Sequence, residues 1–386
     1  MSIENETISK PNQIKYKKFH IKAPEALIIT YSWSSVSHGI CGHNFETYEL
    51  LHHLNQTIPN EETRNKIKVL IPENENQALK VLDALKDKYQ NFDEYKDKII
   101  YGNPTILTAK TVILCDGTLP TRGNINAERL IIILCGKDFW WAKNINIFTG
   151  KKIEIWYDSR IGYDVNDLKE KLLQQDSSLD IKFKDSFVKT LNFKIYNKQN
   201  IIGEGLIPSV SSISSNSKQK RYMVYATGNC RDIYRADVKH HSDTLKEIKD
   251  IIVGSVGSNG SKSLLILGWN PNYTIEEKYI LNQNKQNKIY HDRRMAANTA
   301  ADLSEYFDCE VQIIPECDLP LTNLFNEFDT YIYTPTEKNW DCSSRLIPEC
   351  KYFGKELILT NTAKKLLETN TGLKVRIQDY FPELLK

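Results

Sequence analysis

Near the carboxyl end of the chain stands Asp341-Cys-Ser-Ser-Arg345-Leu-Ile-Pro-Glu349-Cys-Lys-Tyr-Phe-Gly354-Lys355. Seven residues separate its two acids. An apolar run that reads as a strand, Phe328-Asp-Thr-Tyr-Ile-Tyr333, precedes them. Proline is tolerated in a first helical turn, where its missing N–H would have no partner anyway. Pro348 therefore predicts a helix beginning near Ile347, with Ser343 or Ser344 as its cap. Asp341 then falls in the preceding loop and Glu349 in the first turn. Unpaired main-chain N–H groups and the positive end of a helix dipole suit a diphosphate. A carboxylate beside them can accept the two hydroxyl protons of a ribose.

Such a loop must be held by a strand and a helix, and the chain alternates between the two. Strands are predicted at 25–32, 66–72, 111–116, 130–135 and 152–157. The helix after the first strand carries Phe45, Tyr48, Leu51 and Leu54 at three-residue steps, and that after the second carries Leu79, Leu82, Leu85 and Tyr89. Serine-rich Ser209–Ser217 lacks apolar periodicity and reads as a linker. A second series follows, with strands at 221–226, 264–269, 311–314, 328–333 and 357–359, helices at 243–252 and 295–307, and a candidate last strand at 373–377. The expectation is an α/β chain of two Rossmann-like domains with parallel sheets facing a central cleft. Its parts are a polar leader over 1–24, an N-terminal domain over 25–205, a linker over 206–220 and a C-terminal domain over 221–386.

A chain of 386 residues is long enough for two cores. The formal net charge of +2 neither demands nor excludes nucleic acid. The first ten residues are polar and acidic, unlike a secretory signal, and no run approaches a membrane span. Eight cysteines, at 41, 115, 135, 230, 309, 317, 342 and 350, form no Cys-x-x-Cys pair. They are expected as reduced core thiols in a cytoplasmic protein, in the host cytoplasm if the chain is viral. The leader's Lys10, Lys15, Lys17, Lys18 and Lys22 read either as a solvated tail or as a phosphate-contacting arm.

With its paired acids, Gly354-Lys355 and the following strand, the C-terminal segment resembles the donor motif of GT-B glycosyltransferases, the type with Glu, seven residues, Glu. The resemblance implies that Glu349 binds the nucleotide ribose, and that Asp341, one methylene shorter than the usual acid, lies beside the donor sugar. In that class the first strand of the C-terminal domain opens into a small-residue loop followed by basic side chains on the diphosphate. Here the loop is Thr227-Gly228-Asn229-Cys230-Arg231-Asp-Ile-Tyr-Arg235-Ala-Asp-Val-Lys239. Gly228 permits close backbone approach, and Arg231 is the best candidate for a bidentate phosphate contact. Arg235 and Lys239 are alternatives, and Arg345 is a further charge partner for the donor. The spacing departs from the usual one, and ordinary surface charges are the other reading. His38-Gly39-Ile-Cys-Gly42-His43 stands where the class has its acceptor-side loop, so His38 or His43 can polarise a hydroxyl; solvated loop histidines are the alternative.

The resemblance further implies a metal-independent enzyme with no cofactor besides the nucleoside-diphosphate sugar, most simply a UDP-sugar. It favours retention of configuration. Asp116 ends a strand and would suit the general base of an inverting enzyme, with Asp158 as a weaker rival. The Ile-, Asn- and Lys-rich composition and the Asp341–Cys350 segment are similar to bacteriophage glycosyltransferases, some of which modify hydroxymethylated bases of double-stranded DNA. On that reading the leader lysines, Lys218-Gln-Lys-Arg221 and Trp140-Trp141 are candidate DNA contacts, and the base must leave the helix. A cell-envelope or small-molecule acceptor, a nucleotide-sugar epimerase on the same scaffold, and a non-catalytic nucleic-acid-binding protein are the alternatives.

Overall fold

The structure, a computed structural model, describes residues 2–7, 17–31, 42–115, 123–134, 140–185, 192–197, 219–226, 243–254, 261–271, 273–318, 324–335 and 345–385. It forms two compact units, Met1–Asn197 and Lys198–Lys386.

Unit 1 holds strands β1 (Ser2–Thr7), β2 (Lys17–Tyr31), β3 (Ile67–Ile71), β4 (Ile99–Tyr101), β5 (Ile106–Cys115), β6 (Asn124–Ile133), β7 (Lys152–Tyr157) and β8 (Asp180–Asp185). All but β1 pair in parallel, in the order β4-β3-β2-β5-β6-β7-β8. The chain winds from the middle to one edge, returns, and winds to the other, as in a doubly wound sheet. Parallel strands covered on both faces need continuous apolar runs, and Leu130–Leu134 is buried at every position. The helix Gly42–Thr57 packs on β2, β3 and β5. The helix Val165–Gln175 sends Leu168 and Leu172 into a core shared with Ile28, Leu114, Leu130 and Ile153.

Residues 1–24, expected as a leader outside the sheet, instead supply β1 and the first part of β2. β1 pairs antiparallel with Lys17–Lys22. Ile21 and Ala23 are buried and Phe19 packs against the same core, with His20 and Lys22 falling between them. That period of two is a strand signal which the lysine content obscured. Pro24 explains the expected later start. Proline cannot donate to a ladder, and the register with β5 shifts between Ala23 and Leu27, so the strand passes through the proline with an irregularity. Gly102 fixes this segment from the other side: its φ is +146°, and an added Cβ would overlap the Phe19 ring.

Besides β1, two strands of unit 1 lie outside those expected from the sequence. β4 is only three residues long, and β8 exposes Asp180, Lys182 and Lys184 on one face. On the helix Glu75–Lys88 the buried positions are Ala78, Val81, Ala84 and Leu85, while Leu79 is 48% exposed. Ala78 and Ala84 share the buried face with Val81 and Leu85, so the leucine stripe lies partly outward.

Unit 2 holds β9 (Lys220–Tyr225), β10 (Lys262–Trp269), β11 (Glu310–Pro315), β12 (Thr330–Tyr333) and β13 (Glu356–Leu359), all parallel in the order β11-β10-β9-β12-β13. Tyr222, Val224, Ile266 and Ile332 meet Ile248 and Ile252 of the helix Asp243–Gly254 and Leu303 and Phe307 of the helix Lys285–Phe307. That last helix begins ten residues before the expected Met295. The strand expected at 373–377 is instead part of a helix, Thr371–Tyr380. Leu373 and Ile377 are both fully buried and stand four apart, which is helical spacing rather than strand alternation.

Cys309, Cys317 and Cys350 carry free thiols; Cys41, Cys135, Cys230 and Cys342 lie outside the described residues. No described helix is long and apolar enough to cross a membrane.

Candidate functional site

In each sheet the winding reverses between two adjacent strands, β2 and β5 in unit 1 and β9 and β12 in unit 2. Ligands of open parallel sheets bind outside the carboxyl ends of the strands at such a reversal. The segments leaving these four strands include 32–41, 116–122, 227–242 and 336–344, which lie outside the described residues. They contain His38, Gly39, Asp116, Gly228, Arg231, Arg235, Lys239, Asp341, Ser343 and Ser344. Gly42, His43, Arg345 and Glu349 are described.

The helix after β12 is Leu346–Tyr352. Arg345 takes the capping position with a main chain already helical (φ −68°, ψ −32°), where a serine was expected. Pro348 then falls third in the helix, still within the turn that needs no N–H partner. Glu349 lies one turn after Arg345, and Arg345 Nη2 donates to Glu349 Oε1 at 3.3 Å. Both side chains are enclosed, at 9% and 7% exposure. The two residues expected to meet a ribose and a diphosphate separately therefore meet each other. A buried carboxylate and a buried guanidinium require such pairing, since either alone would be costly out of water. The neighbouring Cys350 is fully buried, and burial with the Glu349 charge pushes its thiol well up, as for a core residue.

Gly354 and Lys355 end that helix. Gly354 N–H donates to Lys351 O at 3.2 Å and Lys355 N–H to Cys350 O at 2.8 Å. With Gly354 at φ +67°, this is the Schellman arrangement, which glycine adopts at least cost. Lys355 precedes β13 and thus sits at its amino end. Its ammonium lies 5.6 Å from the Phe328 ring centre, and burial lowers its pKa against the pull of Asp329. The glycine–lysine pair thus shapes the helix stop at the edge opposite the strands' carboxyl ends.

In unit 1, Gly42 and His43 open the helix that follows β2. His43 Nδ1 lies 3.1 Å from Glu46 Oε2, one turn along. When Nδ1–H donates to a carboxylate, the ring is oriented and Nε2 becomes the proton acceptor. Asp158, at the carboxyl end of β7, has a different role. Its carboxylate caps a short 3₁₀ turn and takes both Nε (3.0 Å) and Nη2 (2.9 Å) of Arg160.

Among the candidate DNA contacts, Trp140 and Trp141 start a 3₁₀ stretch, and Lys218 lies outside the described residues. Arg221 grips Asp329 through Nε (3.1 Å) and Nη2 (2.9 Å), a clamp between β9 and the start of β12.

A further polar group was not foreseen. After β10 comes Tyr273, whose O–H donates to Asp292. Lys288 Nζ reaches the other Asp292 oxygen at 2.9 Å, and His291 Nδ1 lies 3.1 Å from the Tyr273 oxygen. Asp292 is buried, and Lys288 nearly so. The signal available was Thr274-Ile-Glu-Glu277, a capping box formed here in both directions. It marks a helix start close to a strand's carboxyl end. His291 and Asp292 stayed hidden because they lie on the part of Lys285–Phe307 that precedes Met295.

No protein-family model matches the chain, and no curated protein matches it.

Proposed function

We propose that the chain is a GT-B glycosyltransferase that moves a sugar from a nucleoside-diphosphate sugar, most simply a UDP-sugar, to an acceptor hydroxyl. The observation that carries this reading is the recurrence of a doubly wound parallel sheet in both units, with the Asp341/Glu349 segment following β12 at the winding reversal of the second. On this reading unit 2 holds the donor. Glu349, oriented by Arg345, accepts from the ribose hydroxyls, and Asp341 lies beside the sugar. Arg231, with Arg235 and Lys239, meets the negative charge of the departing diphosphate, where fixed cations contribute most to an oxocarbenium-like transition state. Retention is the outcome that the paired-acid pattern implies.

One contact favours a second stereochemical reading. His43 paired with Glu46 is equipped to take a proton from an acceptor hydroxyl, which an inverting displacement requires. For the acceptor, the resemblance to bacteriophage enzymes supports a hydroxymethylated base in double-stranded DNA over a cell-envelope or small-molecule hydroxyl.

The experiment is incubation of the protein with radiolabelled UDP-sugars and hydroxymethylated or unmodified DNA. Label entering hydroxymethylated DNA alone is the expected result, and the anomeric configuration of the product decides between retention and inversion. Donor turnover without any acceptor would instead favour an epimerase. Absence of donor binding by calorimetry would remove both enzymatic readings.

A further inference from the structure

β10 and β11 are parallel neighbours, so their carboxyl ends lie side by side. Asn270 donates to Glu316 at 2.8 Å across the two loops, and Arg293 forks onto Asp318. These contacts tie the strand ends to the helix Lys285–Phe307 and frame the group around Tyr273. Asp292 accepts from both the Tyr273 phenol and Lys288. A phenol has one proton to donate. Burial, and then the hydrogen bond to Asp292, push the Tyr273 pKa well above its ordinary value, so the proton stays on the phenol and points to the carboxylate. The Tyr273 oxygen can therefore only accept from His291. Nδ1 of His291 must carry a hydrogen, which leaves the lone pair of the neutral ring on Nε2. The ring is partly exposed, and among the described residues Nε2 has no hydrogen-bond partner. Lys288 brings more N–H donors than the one used by Asp292.

This edge of unit 2 thus offers a fixed acceptor with ammonium donors one turn away on the same helix. The complementary ligand presents an N–H next to a carbonyl. Uracil has that pattern; cytosine has the reverse, a bare ring nitrogen beside an amino group. We propose that Tyr273, Lys288, His291 and Asp292 read the base of a bound nucleotide, selecting a ring with an N–H beside a carbonyl, as in uracil, over cytosine. The inference rests on the reading of unit 2 as the donor half.

Titration calorimetry of the full chain with UDP and CDP tests it, using wild type, Tyr273→Phe and His291→Ala, with circular dichroism confirming that each variant is folded. Wild type is expected to prefer UDP by roughly tenfold, the value of one or two hydrogen bonds gained by one base and left unmade by the other. In Tyr273→Phe the ring loses its fixed tautomer, and in His291→Ala the acceptor is gone, so both variants should bind UDP and CDP nearly equally. Nitrogen-15 spectra give an independent readout. The His291 signal, identified by its loss in His291→Ala, should show Nδ1–H in wild type and shift toward Nε2–H in Tyr273→Phe. Nε2–H in wild type would overturn the relay. Diphosphate binding with no UDP preference, or with the same preference in the variants, would overturn the base reading alone. Failure of every nucleoside diphosphate to bind would overturn the donor half itself, and this inference with it.

Discussion

At the scale of single residues, the Arg345–Glu349 pair decides how a mutation at the donor motif must be read. Both groups are enclosed, so removing one deprives a buried charge of this counter-ion, at a cost of up to about 3–5 kcal/mol. Glu349→Ala should therefore lose stability whether or not Glu349 touches a ligand, and lost donor binding in that variant alone says little. The double variant Arg345→Met, Glu349→Leu removes both charges and retains bulk, a replacement that is often neutral or stabilising. We expect urea unfolding to show a large loss for Glu349→Ala and recovery of most of it in the double variant. Calorimetry with UDP should find binding abolished in both. A double variant with recovered stability and wild-type affinity would make the pair purely structural and remove the ribose assignment.

At the scale of elements, Gly102 and Phe19 test whether the N-terminal residues belong to the sheet. Gly102→Ala meets two obstacles: a φ of +146° and the Phe19 ring. The backbone term alone is about 1–3 kcal/mol. In a Phe19→Ala background the steric part disappears and the backbone part stays, so Gly102→Ala should cost less there than in wild type. Equal costs in the two backgrounds would separate Phe19 from Gly102. This segment also marks the limit of what could be read from the chain. Strands with continuous apolar runs, such as Leu130–Leu134 and Leu264–Trp269, are plain in the sequence because two-sided burial writes itself into composition. β1 and the start of β2 are not, since Lys17, Lys18 and Lys22 dilute the apolar period of two and Pro24 looks like a boundary. Leu373 and Ile377 misled because two apolar residues four apart fit either a short strand or one helical stripe. At the site, the Arg345–Glu349 spacing of four was visible, yet burial is a tertiary property. Tyr273 and His291 lie eighteen residues apart and meet only because the chain turns at Asn284, between the helices Ile275–Gln283 and Lys285–Phe307.

At the scale of the whole molecule, each sheet is built around its own core, and the two clusters share no residue. Unfolding of one sheet therefore need not expose the core of the other, and a ligand held by one unit should protect that unit selectively. A ligand at about one hundred times its dissociation constant stabilises the binding state by about 2.7 kcal/mol, roughly a hundredfold in the opening equilibrium. Hydrogen exchange followed by mass spectrometry can read this strand by strand. With saturating UDP, amides of Tyr222–Tyr225, Leu264–Leu267 and Thr330–Tyr333 should exchange up to about a hundredfold more slowly where exchange requires opening of unit 2. Those of Ile28–Tyr31, Val112–Cys115 and Leu130–Ile133 should keep their rates. Slowing in unit 1 alone would assign the nucleotide to the other sheet, and equal slowing in both would mean that the two open together. Protection confined to unit 2, and lost in the Arg345→Met, Glu349→Leu variant, would tie the nucleotide to the segment that follows β12.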